Sequence, residues 1–194
     1  MSYGLKLKTP GVLQPISLAE AKAHMRIDPV LEDTEMDVMI DALIKAAREY
    51  CESYQNRSYI TQTWQLVLDC WPSVDYIDLA RPPLVSAGIT YIDSAGFSHT
   101  MPIADYIVDT TSYTGRIVLG YGEVWPTETL RPGAAITIEY IAGYGATGST
   151  IPFTARAAML LLVSHWYENR EALGTAGNEI KFAVSALLDM NKVY

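Results

Sequence analysis

The sequence predicts an α+β fold, in which a small helical bundle is interrupted by an antiparallel β insertion. Apolar residues recur at helical spacing between residues 17 and 60 and again after residue 150. Between these stretches, short β-branched or aromatic runs alternate with proline and glycine turns, which is typical of antiparallel strands. The 194 residues therefore divide into an N-terminal arm (1–16), a core of three helices (17–60 and 150–174), a β-rich insertion (61–149) and a C-terminal docking helix (175–194).

The first helix follows an arm without periodicity. The arm contains Pro10, Gly11 and Pro15, and we expect it to be extended and to gain order from a partner. Ser17 and Glu20 then form a capping box, in which each side chain accepts a hydrogen bond from the other residue's backbone N–H. The first helix is expected to run from there to about residue 26.

The second helix follows an acidic stretch. Between Asp28 and Asp41 there are six acidic residues and no basic one. Asp33 or Thr34 can cap the helix, because their side-chain oxygens accept from backbone N–H groups, and early acids suit the positive end of the helix dipole. The DxDxDG order of a calcium loop is absent. The run is therefore interpreted as a loop and a solvated first helical turn, not as a metal site.

Six short runs predict the strands of the insertion. They are residues 64–68, 76–79, 89–92, 106–108, 116–119 and 136–141, and each is followed by turn residues. In the last run Ile136, Ile138 and Tyr140 alternate with Thr137 and Glu139, which predicts a sheet with one wet face.

Glycines flank the third helix, which Pro152 opens and which is expected to end near Leu173 and Gly174. We interpret two glycine segments as hinges, with the glycines Gly143, Gly145, Gly148, Gly174 and Gly177. The twenty residues after the second hinge cannot form a core alone, so their apolar side must dock on this subunit or on another. The side chains that we expect to dock are Phe182, Val184, Leu187, Leu188 and Met190.

One motif favours an alternative, a nucleotide-binding enzyme. Residues 143–148 match GxGxxG between a predicted strand and a predicted helix, where a helix N-terminus can hold a pyrophosphate. However, no second parallel strand follows, and Pro152 places the helix start beyond the third glycine. His24, His99 and His165 share no metal-ligand spacing, and GxSxG does not occur. We therefore predict a non-enzyme with no catalytic residues, no cofactor and no metal.

Charge and hydropathy limit the partners further. A net charge of −8 argues against a general nucleic-acid binder, because such proteins gain affinity from clustered Lys and Arg. The longest apolar run, residues 157–163, is far shorter than the roughly 20 residues of a membrane span, so no membrane partner is expected.

Seven segments, taken in order, resemble a known family. They are Pro15–Lys22 (PISLAEAK), Ala46–Tyr50 (AAREY), Tyr59–Trp64 (YITQTW), Arg81–Leu84 (RPPL), Tyr140–Gly145 (YIAGYG), His165–Glu171 (HWYENRE) and Ala186–Leu188 (ALL). In this order they resemble the head-tail connector (adaptor) proteins of tailed bacteriophages, prophages and gene-transfer particles. In the family the double leucine is followed by a proline and a basic residue, whereas here Leu187-Leu188 is followed by Asp189-Met190-Asn191-Lys192.

The resemblance implies a structural role in the neck of a virion that is assembled in the bacterial cytoplasm. Such a subunit joins a homo-oligomeric, dodecameric ring under the portal protein, closes the packaged head and binds the next tail or neck component. DNA would pass through without sequence-specific binding, and an acidic lumen would keep it mobile. The candidate lining residues are Glu32, Asp33, Glu35 and Asp37. A tail-completion protein or another ring component of the same particle is the alternative.

Overall fold

The computed structural model describes residues 3–28, 33–169 and 177–193. It divides into two compact units. The first, which we call the sheet unit, comprises Met1–Gly11 and Thr61–Gly143; the second, the helical unit, comprises Val12–Ile60 and Tyr144–Tyr194. Each unit has its own hydrophobic core.

The sheet unit contains eight strands in the described residues. They are β1 (Tyr3–Thr9), β2 (Gln62–Leu68), β3 (Tyr76–Asp78), β4 (Leu84–Ile92), β5 (Ser98–Thr100), β6 (Tyr106–Asp109), β7 (Arg116–Leu119) and β8 (Ile136–Ala142). A five-stranded sheet has the order β1-β2-β8-β4-β5, and a three-stranded sheet has the order β3-β7-β6. All pairings within these sheets are antiparallel.

The core of this unit lies between the two sheets. Alternate side chains of β2 and β8 point inward, so that Leu66 lies opposite Ile138 and Leu68 opposite Ile136. The smaller sheet contributes Ile77 and Ile117, which are also cross-strand neighbours. The placing of apolar residues at every second position of the sequence therefore determines which face of each strand is buried.

The helical unit contains four helices in the described residues. They are α1 (Leu18–His24), α2 (Thr34–Gln55), α3 (Phe153–Glu168) and α4 (Gly177–Asp189). Both halves of the Ser17–Glu20 capping box form at the start of α1. Asp33 caps α2 by accepting from the backbone N–H of Met36 at 3.0 Å. The core joins apolar side chains of all four helices, among them Ala21, Ile44, Met159 and Leu188.

The predicted α+β class, with antiparallel strands between the second and third helices, is confirmed. The arm is where expectation and structure differ, because residues 3–9 form β1 and pair with β2. Leu5 and Leu7 alternate with Lys6 and Lys8, which is the spacing of a strand. The alternation is short and is followed by Pro10 and Gly11, which are typical of an irregular arm. The third helix also differs, since α3 ends at Glu168.

Candidate assembly surfaces

Helix α4 buries one apolar face within its own unit. Val184 and Leu188 lie in the helical core, and Leu187 packs against it. Three of the five expected docking residues therefore anchor α4 to this subunit. Of the two expected modes of docking, on this subunit or on another, these three side chains show the first. Gly174 itself lies outside the described residues, whereas Gly177 is the first residue of α4.

Polar contacts fasten the C-terminal end of α4 to the end of α2. The Gln55 side-chain amide donates to the Leu188 carbonyl oxygen at 2.6 Å, and the Gln55 carbonyl oxygen accepts from the Val193 N–H at 3.0 Å. The Arg57 guanidinium donates to the Asn191 carbonyl oxygen at 2.5 Å. These bonds satisfy carbonyl groups that a helix end leaves without intrahelical partners. Sequence reasoning missed this pair of buried polar residues, because their partners lie more than 130 positions away.

The opposite face of α4 is apolar and exposed. Phe182 on α4 is 77% exposed, and Met190, which directly follows the helix, is 71% exposed, with exposed Ala186 between them. At the start of α3, Phe153 is 81% exposed. Its neighbour Thr154 accepts from the Asn191 side chain at 3.3 Å, which ties the end of α4 to the first turn of α3. We call Phe153, Phe182 and Met190 the outer patch.

The glycine segment before α3 is closely packed. The Gly145 N–Cα bond has φ +157°, and a Cβ there would lie 2.6 Å from the Thr150 hydroxyl oxygen. A Cβ on Gly148 would collide with the Pro15 carbonyl oxygen. Gly143 has φ +140°, and its N–H donates to the Pro83 carbonyl oxygen at 2.9 Å. These glycines are therefore required for tight backbone packing, which differs from the mobile hinge that the sequence suggested.

The same segment lacks the setting of a dinucleotide site. Strand β8, which precedes it, is antiparallel to both of its neighbours, so no parallel βαβ unit is formed. A short 3-10 turn at Gly148–Thr150 and then Pro152 separate the glycines from α3. The glycines are consequently not placed at the N-terminus of a helix that could hold a pyrophosphate.

Two of the acidic residues named as candidate channel lining have local partners. Asp33 is the N-cap of α2, and Asp37 pairs with the buried Lys22 at 2.5 Å. Glu35 is exposed in the first turn, and Glu32 lies outside the described residues. The cap and the ion pair account for Asp33 and Asp37 without a channel, and the lining role stays a prediction.

Two ionisable groups in the helical core, the Cys51 thiol and the Tyr59 hydroxyl, are held in their neutral forms. Burial, together with the nearby Glu52 carboxylate, raises the pKa of the Cys51 thiol to about 12. Burial also raises the pKa of Tyr59, whose hydroxyl donates to the Gln55 side-chain oxygen at 2.7 Å. Within the described ranges, no three His, Cys, Asp or Glu side chains are placed to share a metal ion. None of the helices described there is long and apolar enough to cross a membrane.

An exposed apolar helix face, on a helix whose other face is anchored in a core, is typical of a subunit that binds other proteins. The comparisons with known proteins agree with that class. The model of the head completion protein family matches residues 16–187, which is most of the chain. The chain belongs to the head completion protein family, and its role is the structural one of a head-tail connector.

Solved structures share the fold. A chain of the virion of a native gene transfer agent particle is 22% identical, with a TM-score of 0.81, and the alignment covers 98% of this chain and 95% of that one. A chain from the neck of an empty particle, computed with C6 symmetry, is 22% identical with a TM-score of 0.80 and covers 100% and 96%. One from the neck of a native particle, computed with C12 symmetry, is 22% identical with a TM-score of 0.73 and covers 97% and 96%. No curated protein matches the chain.

Proposed function

We propose that the protein is a non-catalytic subunit of a ring in the neck of a tailed phage, prophage or gene-transfer particle. There it would bind the portal protein on one side and the next tail or neck component on the other, and close the packaged head. The family match supports the head-tail role. The structurally similar chains come from necks computed with C6 and C12 symmetry, which supports a ring of identical copies.

The observation that carries the proposal is the outer patch. Phe153 on α3 and Phe182 and Met190 at α4 are each more than two-thirds exposed. On the opposite face of α4, Val184 and Leu188 are buried. Exposing such side chains to water is unfavourable, and burying each of them against a partner would contribute about 1.5–3 kcal/mol. The portal protein is the occupant that we assign to this patch, in a helix-in-groove contact.

Anchoring of α4 lowers the entropy cost of binding through the outer patch. Because Val184 and Leu188 are buried and Gln55 binds the Leu188 carbonyl group, the helix is held in place before any partner arrives. A pre-ordered helix loses less conformational entropy on binding than a free segment would. Truncation before α4 would also expose the helical core, so point substitutions in the patch are the cleaner test.

The test uses the full chain and purified portal protein. Replacing both Phe182 and Met190 with Asp is expected to weaken binding to portal by at least about tenfold, since apolar anchors dominate such contacts. The control is Val38→Asp, which charges an exposed valine of α2 outside the patch. Affinity is measured by interferometry, and circular dichroism shows that each variant is folded.

Two results would count against the proposal. Undiminished portal affinity in the double variant would remove the patch from the interface. Binding of the wild-type chain to tail components, with no affinity for portal, would favour a tail-completion protein instead.

A further inference from the structure

Apolar side chains run in a row across the inner face of the five-stranded sheet. Cross-strand pairing places Leu5 opposite Leu66, Leu66 opposite Ile138 and Ile138 opposite Ile89. Leu66, Ile138 and Ile89 are buried, but Leu5 is 36% exposed. The row therefore extends beyond the buried core at β1. The facing sheet has three strands instead of five, and β1 is left partly uncovered, since Leu5 and Leu7 are 36% and 39% exposed.

The uncovered strip forms an apolar groove between two edge strands, β1 of the larger sheet and β3 of the smaller one. The groove has a volume of about 510 Å³, and we name it the edge groove. Its lining includes Leu5, Leu66, Leu68, Val74, Ile77 and Leu79. Leu5 and Val74 lie at its exposed rim, whereas the other four side chains are buried.

Strand β1 has the features of an edge prepared for a partner. Each residue from Gly4 to Thr9 is exposed, and within the described chain β1 pairs with a strand on one side only. Natural edge strands are usually kept short or covered, because their open N–H and C=O groups and apolar side chains invite association. The opposite edge of the same sheet follows that rule, since β5 has three residues.

An apolar ridge lies at the far edge of the smaller sheet. Ile107 on the edge strand β6 is 59% exposed, and Ile103 in the turn that leads into β6 is 75% exposed. Strand order places β6 two strands from β3, so the ridge and the edge groove lie on opposite sides of the sheet unit. Two unlike apolar surfaces on opposite sides are what a closed ring requires, because each copy meets its neighbours head to tail.

We propose that the edge groove of one copy receives the Ile103–Ile107 ridge of the next copy, and that this contact holds neighbouring subunits together. The proposal rests on the ring of the proposed function and identifies the surfaces that close it. The edge groove of one copy is thus occupied by a second copy of this chain, which binds through its ridge and not through its own groove.

Substitutions at two exposed residues test the edge groove and the ridge separately. Val74→Asp charges the groove rim, Ile103→Asp charges the ridge, and Phe97→Asp is the matched control at an exposed aromatic residue outside both. Mass photometry counts the subunits on each portal complex as protein is titrated. Wild type and the control are expected to fill the portal cooperatively. Each of the other two variants should bind with unchanged single-site affinity, but with the cooperativity lost.

Mixing the two variants provides the decisive arm. A Val74→Asp chain keeps its ridge and an Ile103→Asp chain keeps its groove, so an equimolar mixture can form one intact contact per pair. In sedimentation without portal, the concentrated mixture is expected to contain 1:1 pairs, and each variant alone should remain monomeric. Cooperative filling by both single variants, or a mixture that stays monomeric, would overturn the proposal. The sedimentation result requires neither portal nor the outer patch, so the two proposals fail separately.

Discussion

The side chain of Gln55, at the end of α2, donates to the backbone carbonyl of Leu188, near the end of α4, across 2.6 Å. Its amide oxygen accepts from the Tyr59 hydroxyl at 2.7 Å, so one buried side chain satisfies groups from two other segments. Buried polar groups are costly when their partners are removed, which makes this glutamine the support of the helix that carries the outer patch.

Replacing Gln55 with Met tests that support. The substitution keeps the side-chain length but leaves the Leu188 carbonyl and the Tyr59 hydroxyl without this partner. Each buried unsatisfied group costs about 1–3 kcal/mol, so we expect the free energy of unfolding to fall by about 2–4 kcal/mol in urea titrations. Gln65→Met, on the half-buried strand β2, is the control and should change stability by less than about 0.5 kcal/mol. If Gln55→Met leaves the free energy of unfolding nearly unchanged, α4 is held by apolar packing alone.

A second prediction concerns the glycine segment before α3. A methyl group at Gly148 would collide with the Pro15 carbonyl oxygen, which is a backbone atom and cannot rotate away as a flexible side chain could. Gly148→Ala is therefore expected to destabilise the helical unit by about 1–3 kcal/mol, the range for overpacking. Gly133→Ala introduces the same methyl group where nothing lies within 4 Å, and it should be close to neutral. Equal melting temperatures for the two variants would restore the interpretation of this segment as a mobile hinge.

Local signals in the sequence predicted most of the secondary structure. The Ser17–Glu20 capping box and the Asp33 cap depend on residues three positions apart, and both occur in the structure. The runs at 116–119 and 136–141 became β7 and β8 because side-chain alternation and turn residues act over a few positions. These features need no knowledge of distant partners.

Long-range pairing explains what the sequence could not reveal. Leu5 and Leu7 became strand residues because β2 lies beside them in space, about sixty positions along the chain. In α4, apolar residues surround much of the helix, and only the packing on α2 and α3 decides that Val184 and Leu188 face inward. Phe182 and Met190 are the apolar side chains left exposed by that packing, so periodicity alone could not separate them from the buried anchors.

The third prediction uses pH. The Thr111 hydroxyl and the Arg116 guanidinium, which donate to Asp109 at 2.7 and 3.0 Å, lower the pKa of that carboxyl below its usual value of 3.8. A lowered pKa in the folded state contributes stability that is present above the unfolded pKa and is lost as pH falls through the folded one. Asp109→Asn is therefore expected to lower the melting temperature at pH 7. The difference from wild type should shrink progressively below pH about 4. A difference that stays constant down to pH 2 would assign the effect to hydrogen-bond geometry instead of ionisation.

The last prediction compares the two cysteines. Cys51 is buried in the helical core, where desolvation and Glu52 raise its pKa to about 12, whereas Cys70 is exposed. Alkylation requires the thiolate, and at pH 8 a thiol with that pKa is ionised in only about one molecule in ten thousand. Native protein treated with iodoacetamide should thus gain one adduct, at Cys70, and denatured protein should gain two, as counted by intact mass.

Because Cys51 packs beside the anchors of α4 in the same core, its labelling rate also reports opening of that core. Gln55→Met is expected to accelerate labelling of Cys51, while Gln65→Met leaves the rate unchanged. Rapid labelling of Cys51 in the wild-type chain would mean that the helical core opens readily, and the outer patch would then not be carried on a fixed helix.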